Sequence, residues 1–215
     1  SRSRKNVLDL IDQIDALRQK IEFYLEHIEF NFLFDQQREV FNLGYQVGSG
    51  RLDKNHYDLL ASEARTSSIF AIAKNDVPRS HWLHMSRPFT SINGLPTLIS
   101  WNGSMFEYLM PILYNQTYPQ TLLEQTNRGV VQAQIDYGKK KKVPWGISES
   151  SYFHFDQAQN YQYKGFGIPG LGRKRYLGDD LVISPYASLM AIDIDPIAVL
   201  ENIKALENEG ALGRY

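Results

Sequence analysis

Val7-Leu-Asp-Leu-Ile-Asp-Gln-Ile-Asp-Ala-Leu-Arg-Gln-Lys-Ile-Glu-Phe-Tyr-Leu-Glu-His-Ile28 carries the clearest period in the chain. Its apolar residues Val7, Leu10, Ile11, Ile14, Leu17, Ile21, Leu25 and Ile28 recur at steps of three and four, with Asp, Gln, Arg and Glu between them. Steps of that size stack side chains on one side of an α-helix, so the spacing predicts an amphipathic helix from about Asn6 to about Phe30. Such length suits a hairpin partner or a connector to a further domain. Working outward, Gly44-Tyr-Gln-Val-Gly-Ser-Gly50 is too rich in glycine to be helical. Tyr57 to about Lys74 reads as a second helix, with Asn55 and Asp58 as its N-terminal signal. Ser104-Met-Phe-Glu107 is a capping box opening a helix through Leu113. Pro119 stands ahead of a helix of about Thr121 to Tyr137. Ser184-Pro185 and Asp195-Pro196 each pair a cap with a first-turn proline. Between these helices run long loops. The nearest candidate strand, Ile92 to Ser100, is interrupted by Gly94 and Pro96. The fold class expected from these patterns is all-α.

Composition narrows the function. The chain has 215 residues, 43% hydrophobic and 22% charged, which is one globular domain or two small ones. Its 23 Lys+Arg against 24 Asp+Glu leave a net charge of -1, so no overall field draws it to nucleic acid or an anionic bilayer. The absence of cysteine excludes disulfides, a thiol nucleophile and cysteine-bound metal. No apolar run approaches the roughly 20 residues of a membrane span. The chain lacks an initial Met, its basic start has no h-region behind it, and it stops at Gly213-Arg214-Tyr215 straight after a helical run. Both ends therefore read as cut from something longer.

Several constellations could carry chemistry. Arg51 to Arg65 gathers Asp53, Asp58, Glu63 and two arginines, for which a solvated helix face is the simplest account. Glu107 is explained by its place in the capping box. Glu149, in Pro144-Trp-Gly-Ile-Ser-Glu-Ser150, is harder to dismiss: a loop carboxylate beside an indole is a setting that makes a general acid. Gly165-Phe-Gly-Ile-Pro-Gly170 spells G-x-G-x-x-G but has no strand before it and a proline within it, so it is no dinucleotide fingerprint. The Lys139–Lys142 run reads as a solvated helix end. The five histidines (27, 56, 81, 84, 154) lack metal-ligand spacing, and Ser62 and Ser148 lack a nucleophile elbow. Aromatic residues make up 13% of the chain, and aromatic and acidic loops together suit a carbohydrate site.

Longer strings are more specific. Phe30-Asn-Phe-Leu-Phe-Asp35, Gly50-Arg-Leu-Asp53, Tyr57-Asp-Leu-Leu-Ala-Ser-Glu-Ala-Arg65 and Ala71-Ile-Ala-Lys74 with Asp76-Val-Pro78 begin the series. His81-Trp82, Met105-Phe-Glu-Tyr-Leu-Met-Pro111, Pro144-Trp-Gly-Ile-Ser-Glu-Ser150, Tyr161-Gln-Tyr-Lys164, Pro169-Gly-Leu-Gly172, Asp179-Asp-Leu181 and Pro185-Tyr-Ala187 complete it. In this order, from Phe30 to Tyr215, the chain resembles the glycoamylase-like module of cyclic β-1,2-glucan synthases, which shares strings with endo-β-1,2-glucanases. The resemblance implies an (α/α)6 toroid of which about half is present, with residues 1–35 as a connector and 36–215 as the α/α domain, truncated on its C-terminal side. It implies transglycosylation closing linear β-1,2-glucan into rings, without cofactor or metal, in a large enzyme on the cytoplasmic face of the inner membrane. Partners would be the glucan and the remaining domains of the synthase, or a second copy meeting exposed helix faces. Under the resemblance Glu149 ranks first as a catalytic carboxylate, then Glu63, with Glu107 in reserve. Asp53, Arg65, Trp101, Trp145, Tyr161, Tyr163 and Lys164 become candidates for holding glucosyl units, Trp145 by stacking and Arg65 by orienting a carboxylate. Two further readings stay open: a stand-alone endo-β-1,2-glucanase, and a non-catalytic glucan-binding or scaffold module. Retention asks for carboxyls about 5–5.5 Å apart and inversion for about 6.5–9.5 Å. Sequence leaves open which glutamate is nucleophile and which is acid.

Overall fold

The computed structural model describes residues 2–211; Ser1 and residues 212–215, including the Gly213-Arg214-Tyr215 end, lie outside the described residues. Helix α1 (Arg2–His27) forms where its period predicts, running from slightly earlier to slightly earlier than expected. Its apolar stripe from Val7 to Ile28 is 41–58% exposed at every position of the predicted set, and α1 supplies no residue to either core cluster. Periodicity made the helix; nothing among the described residues covers its face.

The all-α expectation is wrong. Seven α-helices alternate with four two-stranded antiparallel sheets among the described residues. The first two sheets are short: β1 (Phe34–Asp35) with β2 (Val40–Phe41), and β3 (Tyr45–Gln46) with β4 (Arg51–Leu52). The third pairs β5 (Phe89–Ile92) with β6 (Leu95–Leu98), in the stretch that Gly94 and Pro96 seemed to rule out. Here Asn93 and Gly94 take φ of 49° and 82°, the left-handed pair that a two-residue hairpin turn requires. Gly94 makes the hairpin instead of breaking a strand. Pro96 is tolerated because a two-stranded ribbon has only edge strands. The fourth sheet pairs β7 (Ser150–Phe155) with β8 (Tyr161–Lys164), inside what read as one long loop. Asp156 closes its turn by accepting the N–H groups of Ala158 and Asn160, each at 2.9 Å.

Helix starts follow their caps. In α4 (Met105–Leu109) the Ser104–Glu107 capping box is complete, and a 3-10 turn, Met110–Leu113, continues it. Thr121 caps α5 (Leu122–Lys141), and Asp195 caps α7 (Pro196–Asn208) by accepting the N–H of Ala198 at 3.0 Å. Helix α2 (Ser62–Ala73) begins five residues later than Tyr57. The cause is Asp58, whose carboxylate accepts the N–H groups of Leu60 and Ala61 and holds them in a turn. Two short helices complete the set, α3 (Ser80–His84) and α6 (Pro185–Leu189).

The main core forms around α5. Val130 and Val131 pack with Leu98, Met105, Tyr108, Leu109, Ile147, Leu171 and Val199. Full burial of each such apolar side chain contributes about 1.5–3 kcal/mol. Helix α5 lies directly against β6 because residue 129 is glycine: a Cβ there would come within 2.2 Å of the Thr97 hydroxyl. The fully buried Tyr108 joins three segments. Its hydroxyl accepts the N–H of Ser100 at 2.9 Å and lies 2.8 Å from the carbonyl of Leu171. The Gly165–Gly172 stretch packs as closely against the loop before α4. A Cβ on Gly167 would lie 1.8 Å from the carbonyl oxygen of Asn102, so this glycine pattern serves backbone approach. That contact fixes the Trp101–Gly103 loop, which forms one wall of a polar cleft.

Candidate active site

Two buried side-chain amides shape the segment ahead of Glu149. Asn202 of α7 accepts the N–H of Trp145 at 2.9 Å and donates to its carbonyl at 2.8 Å. Gln134 of α5 does the same for Ile147, with both bonds at 2.9 Å. Each amide offers the donor and acceptor that a neighbouring strand would, so two helices hold an extended segment on its alternate residues. Gly146 lies between the clamps with φ of 127°, a conformation that a side chain would strain. Ser148 then accepts the N–H of Phe106 at 3.0 Å, and the Tyr186 hydroxyl donates to the carbonyl of Glu149 at 2.7 Å. The backbone at Glu149 is therefore fixed from α4, α5, α6 and α7.

The Glu149 side chain is half-buried, and its Oε2 accepts a hydrogen bond of 2.5 Å from the Tyr163 hydroxyl. Desolvation and that carboxylate push the Tyr163 phenol well above its ordinary value. Glu63 lies in the first turn of α2, where a carboxylate is favoured by the helix dipole. Its Oε2 accepts from the Ser62 hydroxyl at 3.0 Å. Burial, and then the facing Glu63, push the Tyr57 phenol up.

Glu63, Glu107 and Glu149 line one cleft of about 850 Å³ together with Trp101, Asp58, His56, Asn102 and Arg173. The three glutamates differ in what they have left to offer. Glu107 is buried, and its carboxylate accepts from the Ser100 and Ser104 hydroxyls and from the N–H groups of Asn102 and Ser104, at 2.9–3.2 Å. A carboxylate with its lone pairs so engaged is a structural acceptor. Glu149 accepts one side-chain hydrogen bond among the described residues, and Glu63 accepts from the Ser62 hydroxyl with the Tyr57 phenol facing it, so both keep accepting capacity.

The expected sugar-holding residues scatter. Trp101 is 58% exposed at the cleft, with the Arg173 guanidinium 5.9 Å from its ring centroid. Trp145 is buried on the side of α5 and α7 and cannot offer a ring face to a sugar, which corrects its expected stacking role. Arg65 is 3% exposed, and its guanidinium donates to the carbonyls of Glu107 and Tyr108 at 2.7 and 3.1 Å; it ties α2 to α4 instead of orienting a carboxylate. Burial lowers it to about 10, against the opposing pull of Asp58, so it stays charged at neutral pH. Asp53 accepts the N–H of Asn55 and lies outside the cleft lining. Lys164 is paired with Asp180, and Tyr161 packs on Phe155 with ring centroids 4.6 Å apart. Tyr163 lies against Glu149. The sequence reading passed over His56, Asp58, Asn102 and Arg173 as cleft residues. Asp58 stood five residues before Glu63 in the same string, and Arg173 directly followed Pro169-Gly-Leu-Gly172. Among the described residues no group of three or more His, Asp or Glu is placed to hold a metal ion.

The family model "Glycoamylase: Putative glucoamylase" matches residues 55–215, three-quarters of the chain and every cleft residue from Asn55 onward. This chain belongs to the glycoamylase family. The family chain is also 47% identical over 209 residues to the cyclic beta-(1,2)-glucan synthase NdvB of Rhizobium meliloti, a match covering 94% of this chain and 7% of that protein. Among solved structures, that of a "putative glucoamylase" from Bacteroides caccae superposes with a TM-score of 0.65, over 91% of this chain and 50% of that one. At 16% identity the likeness speaks for the fold alone. The glycoamylase segment thus spans half of the solved relative and a small part of the synthase. Among its described residues no helix is long and apolar enough to cross a membrane.

Proposed function

We propose that this glycoamylase-family chain forms part of an (α/α)6 domain that cuts and rejoins β-1,2-glucan, closing it into rings as part of a larger synthase. One observation supports this most: Glu63 and Glu149 open onto one polar cleft with accepting capacity left, whereas Glu107 is consumed by its cap. Two such carboxylates suffice for glycosyl transfer. In the retaining route one attacks the anomeric carbon as the glycosidic C–O bond breaks, and the other gives its proton to the departing oxygen. An incoming sugar hydroxyl then displaces the carboxylate and returns a proton to the second group. Water in place of that hydroxyl gives hydrolysis. Trp101, exposed at the cleft, offers a ring face to a glucosyl unit. Residues 1–35 serve as the connector and 36–215 as the α/α portion. The uncovered stripe of α1 packs against the remaining protein, which lies at the cytoplasmic face of the inner membrane.

The test uses the complete protein with linear β-1,2-glucan, products being read by mass spectrometry. Rings or redistributed chain lengths are expected, and Glu149→Gln and Glu63→Gln should each lower turnover by a factor of about 10³ or more. Short linear products alone would make the protein a glucanase. Undiminished turnover in both variants would refute the carboxylate pair and leave a module that only binds.

A further inference from the structure

The sequence resemblance makes Tyr163 a candidate for holding sugar, but its geometry gives it a different task. It stands on β8 opposite Ser151 of β7, two residues beyond Glu149. The antiparallel return therefore carries its phenol back to the carboxylate. The 2.5 Å bond to Oε2 is the one hydrogen bond to the Glu149 carboxylate among the described residues. Everything else that fixes Glu149 acts on backbone: the Gln134 clamp on Ile147, the Phe106 N–H on Ser148 and the Tyr186 hydroxyl on the Glu149 carbonyl. Those contacts leave the three side-chain torsions of a glutamate free. A half-buried glutamate with an anchored backbone still samples several rotamers, and reaction needs one of them. One strong donor on one oxygen selects that rotamer and leaves the other oxygen without a partner among the described residues. A hydroxyl that donates its one proton to the carboxylate cannot at the same time donate it to a sugar.

We propose that Tyr163 is a positioning residue, whose phenol fixes the orientation of the Glu149 carboxylate toward the reacting sugar. The proposal rests on the reading of Glu149 as a catalytic carboxylate. Its hairpin setting matters as well. β7 begins at the residue after Glu149, so the ribbon that carries Tyr163 is continuous with the segment it orients, and carboxylate and donor move together.

Tyr163→Phe removes the hydroxyl alone and keeps the ring of an exposed hairpin residue, so the fold is retained. In the complete protein acting on linear β-1,2-glucan, the variant should lower kcat by about ten- to a hundredfold while KM stays within about twofold. In a Glu149→Gln background the same change should have no further effect on the residual rate, because a residue that acts through another adds nothing once that one is gone. A raised KM with unchanged kcat would overturn the proposal and return Tyr163 to sugar binding. A full additional loss in the Glu149→Gln background would overturn it too, since Tyr163 would then act by itself. If the unmodified protein leaves glucan unchanged, or Glu149→Gln is fully active, the functional reading itself fails before Tyr163 is reached, and this inference falls with it.

Discussion

Gln134 offers the sharpest test of how the fold holds its site. Its side-chain amide is 1% exposed and makes two 2.9 Å hydrogen bonds to Ile147, a residue itself 2% exposed. Gln134→Met keeps the length and volume but neither polar atom. The two lost partners are not equivalent. The carbonyl of Ile147 still accepts the N–H of Met105 at 3.3 Å, so it keeps a partner. The N–H of Ile147 has no such reserve and is left buried and unpaired, which costs about 1–3 kcal/mol. The expected local destabilisation is therefore about 2 kcal/mol, equivalent to about thirtyfold faster opening of the segment. Hydrogen exchange read by mass spectrometry on the complete protein isolates it, because peptides covering 143–150 report this segment whatever other domains do. Exchange there should accelerate by about that factor, while peptides in β5 and β6 stay unchanged. Turnover should fall together with protection, since the segment carries Glu149. A change under about twofold at 143–150 would refute the claim that the Gln134 clamp holds this strand-like segment in place.

Two other perturbations separate structural from chemical roles. Glu107→Ala removes the acceptor for two hydroxyls and two N–H groups and abolishes the capping box, at a cost of about 3 kcal/mol; exchange across residues 100–110 should rise by about two orders of magnitude, and unaltered protection there would contradict a structural role for Glu107. His81 is fully buried between the Glu39 carbonyl and the Ser68 hydroxyl, close to His84, and burial pushes it below its ordinary value of 6.5. The unfolded chain then binds a proton that the folded one refuses, so this contribution is complete above about pH 6.5 and is lost progressively as pH falls below it. Exchange protection around Ser68 and His81 should weaken between about pH 6.5 and 5, and a His81→Gln variant should lose that pH dependence; a wild-type segment equally protected at both pH values would refute the linkage.

Local rules explain which parts of this fold were legible. The period of Val7–Ile28, the Ser104–Glu107 box, the Thr121 cap and the Asp195-Pro196 start each act within about one helical turn, and each helix forms where they point. The hairpins were missed where a local signal was given the wrong sign. Gly94 taken singly reads as a breaker, whereas Asn93-Gly94 between β-branched and apolar residues is a turn signal. In β7–β8 the aromatic alternation was overshadowed by polar residues at the Asp156–Asn160 turn. Likewise α2 started late because a single Asp58 side chain competed with the helix for backbone N–H groups.

The site divides along the same line. By itself the sequence determined the family, the helices that carry a clear period or side-chain cap, and a short list of carboxylates, because strings, periods and capping patterns are written within a few residues. What each carboxylate has left to offer was decided only by tertiary structure. Glu107 is taken up by donors from the Ser100–Ser104 loop, and that loop is held in place by Gly167 from the far side of the chain. Trp145 and Arg65 turn inward because α7 and α4 pack over them. Glu63 and Glu149, far apart in the chain, share one cleft because the core around α5 joins the segments that carry them. Burial and hydrogen-bond occupancy depend on neighbours distant in sequence, and those neighbours exist only once the chain has packed.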